Sequence, residues 1–383
     1  MKQESMYSVS KIPTPCYVYD TDALTRNVES LQTAMRSLYR NYKIAYSYKT
    51  NNSCFVCRYL NNIGVMAEVV SKYEYWMAQR FGVSPKNIIF NGVTGDLDIK
   101  ARAASNGAIV NLDNVDEFRE FSAIAGDRPM EVGIRLNFDI GNGVLSRFGV
   151  DTENQNEMAY LLDRKSHPNL AIRSVHFHIG DARGVEYFRK RIVKMIHFAE
   201  LFGADIIDIG GNMAGPVFSE YREQFSHPLP SFEEYASVIG SEMRKAYPDQ
   251  QKTLITENGT SLVANTIHLL TTIKAVKNIR GQVFITTDAK HGDVGSVCDF
   301  KNPSYQHFGN ENNFVSNAIV NGCTCIEKDR LIHDYNGFAN VGDKILILGC
   351  GAYSYSMNGN FIKPFCDDFI ALQNTNIQIV KHL

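Results

Sequence analysis

No run of about 18 apolar residues occurs in the 383-residue sequence, so no segment has the length of a membrane-spanning helix. The opening residues, MKQESMYSVSKIPTP, lack the apolar stretch of a secretory signal peptide. Positive charge is not in surplus either. Thirty-nine basic against 41 acidic residues give a net charge of −2, which argues against a general nucleic-acid binder, since such a protein must neutralise a row of phosphates. The eight cysteines follow no regular spacing, so no disulfide framework is indicated and the thiols point to a reducing compartment. A soluble, cytoplasmic protein with no membrane partner is the expectation. Low-complexity segments and charged tails are missing, and Asn310-Glu-Asn-Asn is the most loop-like spot. Neither a G-x-S-x-G elbow nor a P-loop is present.

What is there is a globular composition, 44% hydrophobic and 11% aromatic, in a chain long enough for two domains. From Lys43 to Ala264 one phrase repeats, a short β-branched or aromatic run followed by an amphipathic stretch. The runs are KIAYSYK (43–49), VMAEVV (65–70), NIIFNG (87–92), AIVNLDN (108–114), MEVGIRLN (130–137), IRSVHFHIG (172–180), DIIDIGG (205–211) and TLITENG (253–259). Between them lie helical patterns; in one, Phe188, Ile192, Met195, Ile196 and Ala199 recur at three- and four-residue steps. Eight strands alternating with helices predict an α/β fold, a (β/α)8 TIM-like barrel over residues 36–264. An open doubly wound sheet is the alternative, but no switch point is visible. After Ala264 helical periodicity fades, so residues 1–35 and 265–383 are expected to form a mostly-β domain completed by the strand in CYVYD.

A barrel gathers its chemistry at the C-terminal ends of its strands. Those ends hold Lys49, Glu68, Asn91, Asp113, Arg135, His178, Gly210-Gly211 and Glu257. Singly, each suits a solvated loop or an ion pair; gathered at one mouth, they suit an active site. Lys49, beside Tyr46 and Tyr48, is a candidate Schiff-base lysine. Glu257 is placed to keep a ring nitrogen protonated, and DIGGNMAG (208–215) offers backbone N–H groups at a turn, although alone it is only a tight turn. Amine, carboxylate and anion cradle together describe a pyridoxal phosphate site. Cys54 and Cys57 have zinc spacing without a second pair, and read instead as two buried thiols of a helix. His176 and His178 share a strand face, but a third ligand for a metal is not apparent.

Seven motifs in order, PTPCYVYD, YSYKTNN, HFHIGD, DIGGN, TENGTSLVA, CTCIEKD and GAYSYSM, make the chain resemble the alanine-racemase-fold pyridoxal phosphate decarboxylases, the group of diaminopimelate, ornithine and carboxynorspermidine decarboxylases. The resemblance implies the barrel and β domain, pyridoxal 5'-phosphate, and a head-to-tail homodimer with shared active sites. It implies Lys49 as the Schiff-base lysine, His178 stacked on the cofactor ring and Glu257 on the pyridine nitrogen. Gly210, Gly211, Asn212 and Tyr353 would bind the cofactor, with Tyr353 also lining the substrate. Cys325 and Asp329 would reach across from the other subunit, with Cys325 as proton donor.

Departures bear on the substrate. The family's E-P-G-R reads Glu257-Asn258-Gly259-Thr260, H-I-G-S ends in Asp181, and the third glycine of G-G-G is Asn212. Ser296 stands near a substrate arginine position, and C-E-S reads Cys325-Ile326-Glu327. Without those groups diaminopimelate is not the expected substrate. An amino-acid head on an unusual small molecule is, such as an aminocarboxypropyl group trimmed to aminopropyl on a nucleotide-peptide. A basic amino acid or a carboxynorspermidine-like precursor is the alternative. Of other classes, a racemase of this fold would face the ring nitrogen with arginine, and a non-catalytic cofactor-binding barrel would lack the CTCIEKD domain.

Overall fold

Each of the eight apolar runs forms a short strand in the computed structural model, which describes residues 9, 11–93, 95–295, 302–364, 366, 369–373 and 376–380. They are β1 (Tyr42–Ser47), β2 (Met66–Val69), β3 (Ile88–Phe90), β4 (Ile109–Leu112), β5 (Met130–Asn137), β6 (Leu170–His176), β7 (Ile206–Asp208) and β8 (Thr253–Asn258). Every strand pairs in parallel with the next. β8 returns to β1, with Leu254 opposite Tyr42 and Asn258 opposite Tyr46, so the sheet closes as a barrel and leaves no edge. Ala45, Met66, Ile89 and Ile255 cluster as one of its buried apolar layers.

The intervening helices form where the 3.6-residue pattern and a cap coincide. Helix Val185–Phe202 buries Phe188, Ile192, Met195 and Ala199 and stops at Gly203, whose φ of 66° suits a residue without a Cβ. Helix Val115–Ala125 is capped by the Asn114 side chain, and helix Phe232–Ala246 by a reciprocal Ser231–Glu234 capping box. Helix Cys54–Asn62 carries both early cysteines; Cys57 is buried but Cys54 is only half-buried, against the expected buried pair.

The chain divides into two units, one of Val28–Gly215 and Leu229–Ser261, the other of Met1–Asn27, Pro216–Pro228 and Leu262–Leu383. The second unit is mostly β. Cys16–Asp20 lies between Ile267–Ile279, antiparallel, and Phe369–Gln373, parallel, so the N-terminal strand completes this sheet as expected. Ile267–Ile279 also pairs with Gln282–Thr287 and Lys344–Ile347. Val9, Cys16, Val18, Leu270, Leu346 and Leu348 pack as its core. Asn310 opens the connection between strands Tyr305–Phe308 and Phe314–Asn321, and Ser296 lies outside the described residues.

Glu74, in the first turn of helix Lys72–Arg80, accepts the Val70 N–H at 2.8 Å, while its own N–H is capped by Ser71. Burial pushes its carboxyl up to about 7, with the Glu68 charge adding to the rise. A carboxyl whose folded pKa exceeds its unfolded value of 4.5 loses stability as pH rises across that interval, because only the unfolded chain ionises freely. Glu74→Gln keeps the acceptor and removes the charge. Urea unfolding should show no gain near pH 4.5 and a gain of about 1–3 kcal/mol at pH 8. An equal change at both pH values would assign the effect to packing.

Candidate active site

β1 ends at Ser47 and the chain enters a single turn of 3-10 helix, Tyr48–Thr50, so Lys49 stands just beyond the strand rather than on it. Its Nζ donates to Ser47 Oγ at 3.0 Å and to Glu68 Oε2 at 2.9 Å. The Glu68 side chain is 1% exposed and that of Lys49 35%. An ion pair with a buried carboxylate, more than the neighbouring tyrosines, therefore holds the ammonium. Ser47 Oγ donates to the same carboxylate.

From the end of β3, Asn91 Nδ2 reaches both Glu68 Oε1, at 3.0 Å, and Glu257 Oε1. Asn91 Oδ1 accepts from Asn111 of β4 at 2.8 Å. Glu257 Oε2 lies 3.1 Å from His176 Nε2, both groups being almost fully buried. One hydrogen-bonded path thus runs from Lys49 through Glu68 and Asn91 to Glu257 and His176. Burial alone would raise the Glu257 carboxyl; His176, and further off Lys49, outweigh it and hold it below the usual carboxylate range.

β7 adds Asp208. Ligand-type atoms of His176, Asp208 and Glu257 all lie within 4.8 Å of one another, which corrects the expectation that His176 has no companions for a metal. His178 is not among them. Burial and the Glu257 charge push the Asp208 carboxyl well above its ordinary value, so the site favours a proton there over a second buried negative charge. The trio reads as a buried carboxyl pair capped by an imidazole.

His178 lies two residues past β6. Its Nδ1 accepts the Gly211 N–H at 3.0 Å, which leaves the ring proton on Nε2. Burial, reinforced by Lys49, holds its pKa well below the ordinary histidine value, so the ring is neutral. Arg135 pairs with Asp113 at 3.6 Å and donates to the His178 carbonyl at 3.0 Å, which ties two more strand ends to this ring.

The glycine turn differs from the expected cradle. Gly210 N–H donates to Asp208 Oδ1 at 2.9 Å and Gly211 N–H to His178, so both donors face inward. A Cβ at Gly211 would stand 2.2 Å from the Glu257 carbonyl, which accounts for glycine there. Asn212 and Met213 carry the next N–H groups, and neither meets an acceptor among the described residues. Asn212 holds a left-handed φ of 75° and, with its amide turned, accepts the Ala182 N–H at 2.9 Å. Asp181 is exposed, also at positive φ.

Cys325, Asp329 and Tyr353 belong to the second unit. Cys325 is exposed with a free thiol. Asp329 is buried, accepting the His291 N–H at 2.7 Å and the Thr324 N–H and hydroxyl at 2.8 and 2.6 Å. Its carboxylate ties its own loop to the turn at His291. Tyr353 is half-buried at a φ of 56°.

Sequence reasoning missed Ser47, Asn111 and Asp208 and left His176 without a role. The two-residue step from His176 to His178 and the aspartate before the glycines were the available signals. The barrel donors suit a group bearing an aldehyde for Lys49, a ring nitrogen for the ionised Glu257, and an anionic arm for the free N–H groups of the turn.

The family described as "Pyridoxal-dependent decarboxylase, pyridoxal binding domain" matches residues 25–264. Diaminopimelate decarboxylase of Aquifex aeolicus is 25% identical, over 96% of this chain and 89% of its own. That of Methanocaldococcus jannaschii is 26% identical, over 92% and 84%. A crystal structure of diaminopimelate decarboxylase from M. jannaschii aligns with a TM-score of 0.85 at 21% identity, covering 98% of this chain and 91% of the other. Lysine/ornithine decarboxylase from Vibrio vulnificus, complexed with cadaverine, aligns at 0.80 and 19%, covering 98% and 100%. At these identities the structural likeness is one of fold.

Proposed function

Because this chain belongs to the pyridoxal-dependent decarboxylases, we propose that it removes the α-carboxylate of an amino-acid head whose distal part carries no second such head. When bound, pyridoxal 5'-phosphate supplies the electron sink for the carbanion left as carbon dioxide departs. Lys49 is the amine for its aldehyde, poised by Ser47 and Glu68. Glu257, kept ionised by His176 and steadied by Asn91, is the partner of the ring nitrogen. His178 offers a neutral ring held in place by Gly211, and Asn212 and Met213 offer N–H groups to the phosphate, with Tyr353 as a further contact. Cys325 is the proposed proton donor, supplied in a cytoplasmic homodimer by the partner subunit.

The observation that carries this reading is Glu257, paired with His176, on the same hydrogen-bonded path as Lys49. A carboxylate there favours a deep electron sink, hence decarboxylation over racemisation.

For the substrate, the family's arginine position holds Thr260, which begins the short helix after β8. A buried second carboxylate without a cation costs several kcal/mol. We therefore favour a large distal part such as a nucleotide-peptide bearing an aminocarboxypropyl group. A basic amino acid is the second reading, favoured by relatives named for diaminopimelate and for lysine and ornithine. Carbon dioxide release should give the aminocarboxypropyl nucleotide a kcat/KM at least about 100-fold above meso-diaminopimelate. Diaminopimelate turnover near 10⁴ M⁻¹s⁻¹, an ordinary enzymatic value, would reject the substrate assignment alone. No release from any of diaminopimelate, ornithine, lysine or the nucleotide would reject all the substrates proposed.

A further inference from the structure

Arg191, on helix Val185–Phe202, is fully buried, and no carboxylate lies within ion-pair distance of it among the described residues. Its Nη1 donates to the carbonyls of Ile209 and Gly211, each at 2.9 Å. Nε and Nη2 meet no acceptor among the described residues. The guanidinium lies over the rings of Phe188, 4.2 Å from its centre, and Phe177, at 5.4 Å. Aromatic faces and two carbonyls offset only part of the cost of burying a cation, so the fold retains an unneutralised charge directly behind the glycine turn.

The backbone of that turn can be accounted for completely. Ile209 N–H goes to Ile255 and its carbonyl to Arg191; Gly210 N–H goes to Asp208 and its carbonyl accepts from Glu257 N–H. Gly211 N–H goes to His178 and its carbonyl to Arg191. Every polar group of residues 209–211 is thus committed, and the first uncommitted donors are the N–H groups of Asn212 and Met213. Arg191 supplies two of the six bonds that fix this arrangement.

We propose that Arg191 is a positioning residue for the phosphate end of the cofactor, locking the turn from behind and providing the fixed positive charge that a phosphate dianion needs. Burial lowers its pKa to about 9, so it stays protonated at neutral pH, and an arriving dianion would relieve that burden. The proposal rests on the pyridoxal phosphate reading above.

The test is reconstitution of cofactor-free protein with pyridoxal 5'-phosphate and, separately, with pyridoxal, which has the aldehyde and ring but no phosphate. Dissociation constants are read from coenzyme absorbance for wild type, Arg191→Met and Arg191→Lys, with circular dichroism as the check on folding. Arg191→Met should weaken phosphate-ester binding by about tenfold to a hundredfold, the range of a charge-assisted hydrogen bond, and change pyridoxal binding less than about threefold. Arg191→Lys should fall between, since it keeps the charge but not the fork. If Arg191→Met does not fold, the same loss of discrimination in Arg191→Lys carries the proposal. Equal losses for both ligands, unchanged discrimination in a folded variant, or failure of both variants to fold would assign Arg191 to scaffolding and overturn it. Wild-type protein that binds neither ligand would instead refute the cofactor reading itself.

Discussion

Lys49→Ala protein should release carbon dioxide more than about 10³-fold more slowly than wild type, because the amine that would hold the cofactor aldehyde is gone. Residual binding through the phosphate and ring contacts remains, so the loss should fall on turnover more than on cofactor content. Borohydride reduction of the wild-type holoprotein followed by peptide mapping should place the pyridoxyl group on the peptide containing Lys49; a label on another lysine rejects the assignment. The substitution also leaves Glu68 with Ser47 and Asn91 but no cation, so thermal unfolding must be recorded beside the rate. The same variant tests the shared-site homodimer. Mixed with Cys325→Ala protein, it should regain part of the activity through heterodimers that contain one intact site. Subunits that exchange without regaining activity would rule out a donor from the partner.

Glu257→Gln should lower kcat by about 10²–10⁴-fold with a smaller change in KM, since glutamine preserves the side chain's shape but cannot keep a ring nitrogen protonated. Unchanged kcat would remove Glu257 from the reaction. Stability offers an independent check. Glu257 is a carboxyl held below its ordinary value against burial, so its stabilising contribution is present above the unfolded pKa of 4.5 and fades as pH falls below it. Breaking the buried pair with His176 should therefore cost about 3 kcal/mol at pH 7, and the gap between variant and wild type should narrow below about pH 4.5. Removing this charge also takes away one of the causes that raise Asp208, so Asp208 should ionise more readily in the variant.

The sequence by itself determined the barrel and the composition of its mouth. Strand and helix periods are local properties of the chain, readable in KIAYSYK or in the Phe188–Ile192–Met195–Ala199 spacing, and eight such alternations admit few closed arrangements. Once the barrel is inferred, topology delivers Lys49, Glu68, Asn91 and Glu257 to one end without any distance being known. Only the tertiary structure decided how those groups divide their hydrogen bonds. That Glu68 serves Lys49, that Asn91 spans two carboxylates, and that Asp208 and His176 converge on Glu257 depend on register between strands far apart in the chain. The same holds for the glycine N–H groups, which read as a phosphate cradle but are committed to Asp208 and His178. Asp329 reads as a reaching acid, and only the folded chain shows its oxygens tying the Thr324 loop to His291. Arg191 reads as one cation among several on an amphipathic helix, and only packing reveals it beneath the turn, bonded to carbonyls and paired with no carboxylate among the described residues. Which groups share a proton or a charge is set by a few tenths of an ångström and by exclusion of water, and neither is written in a local pattern of residues.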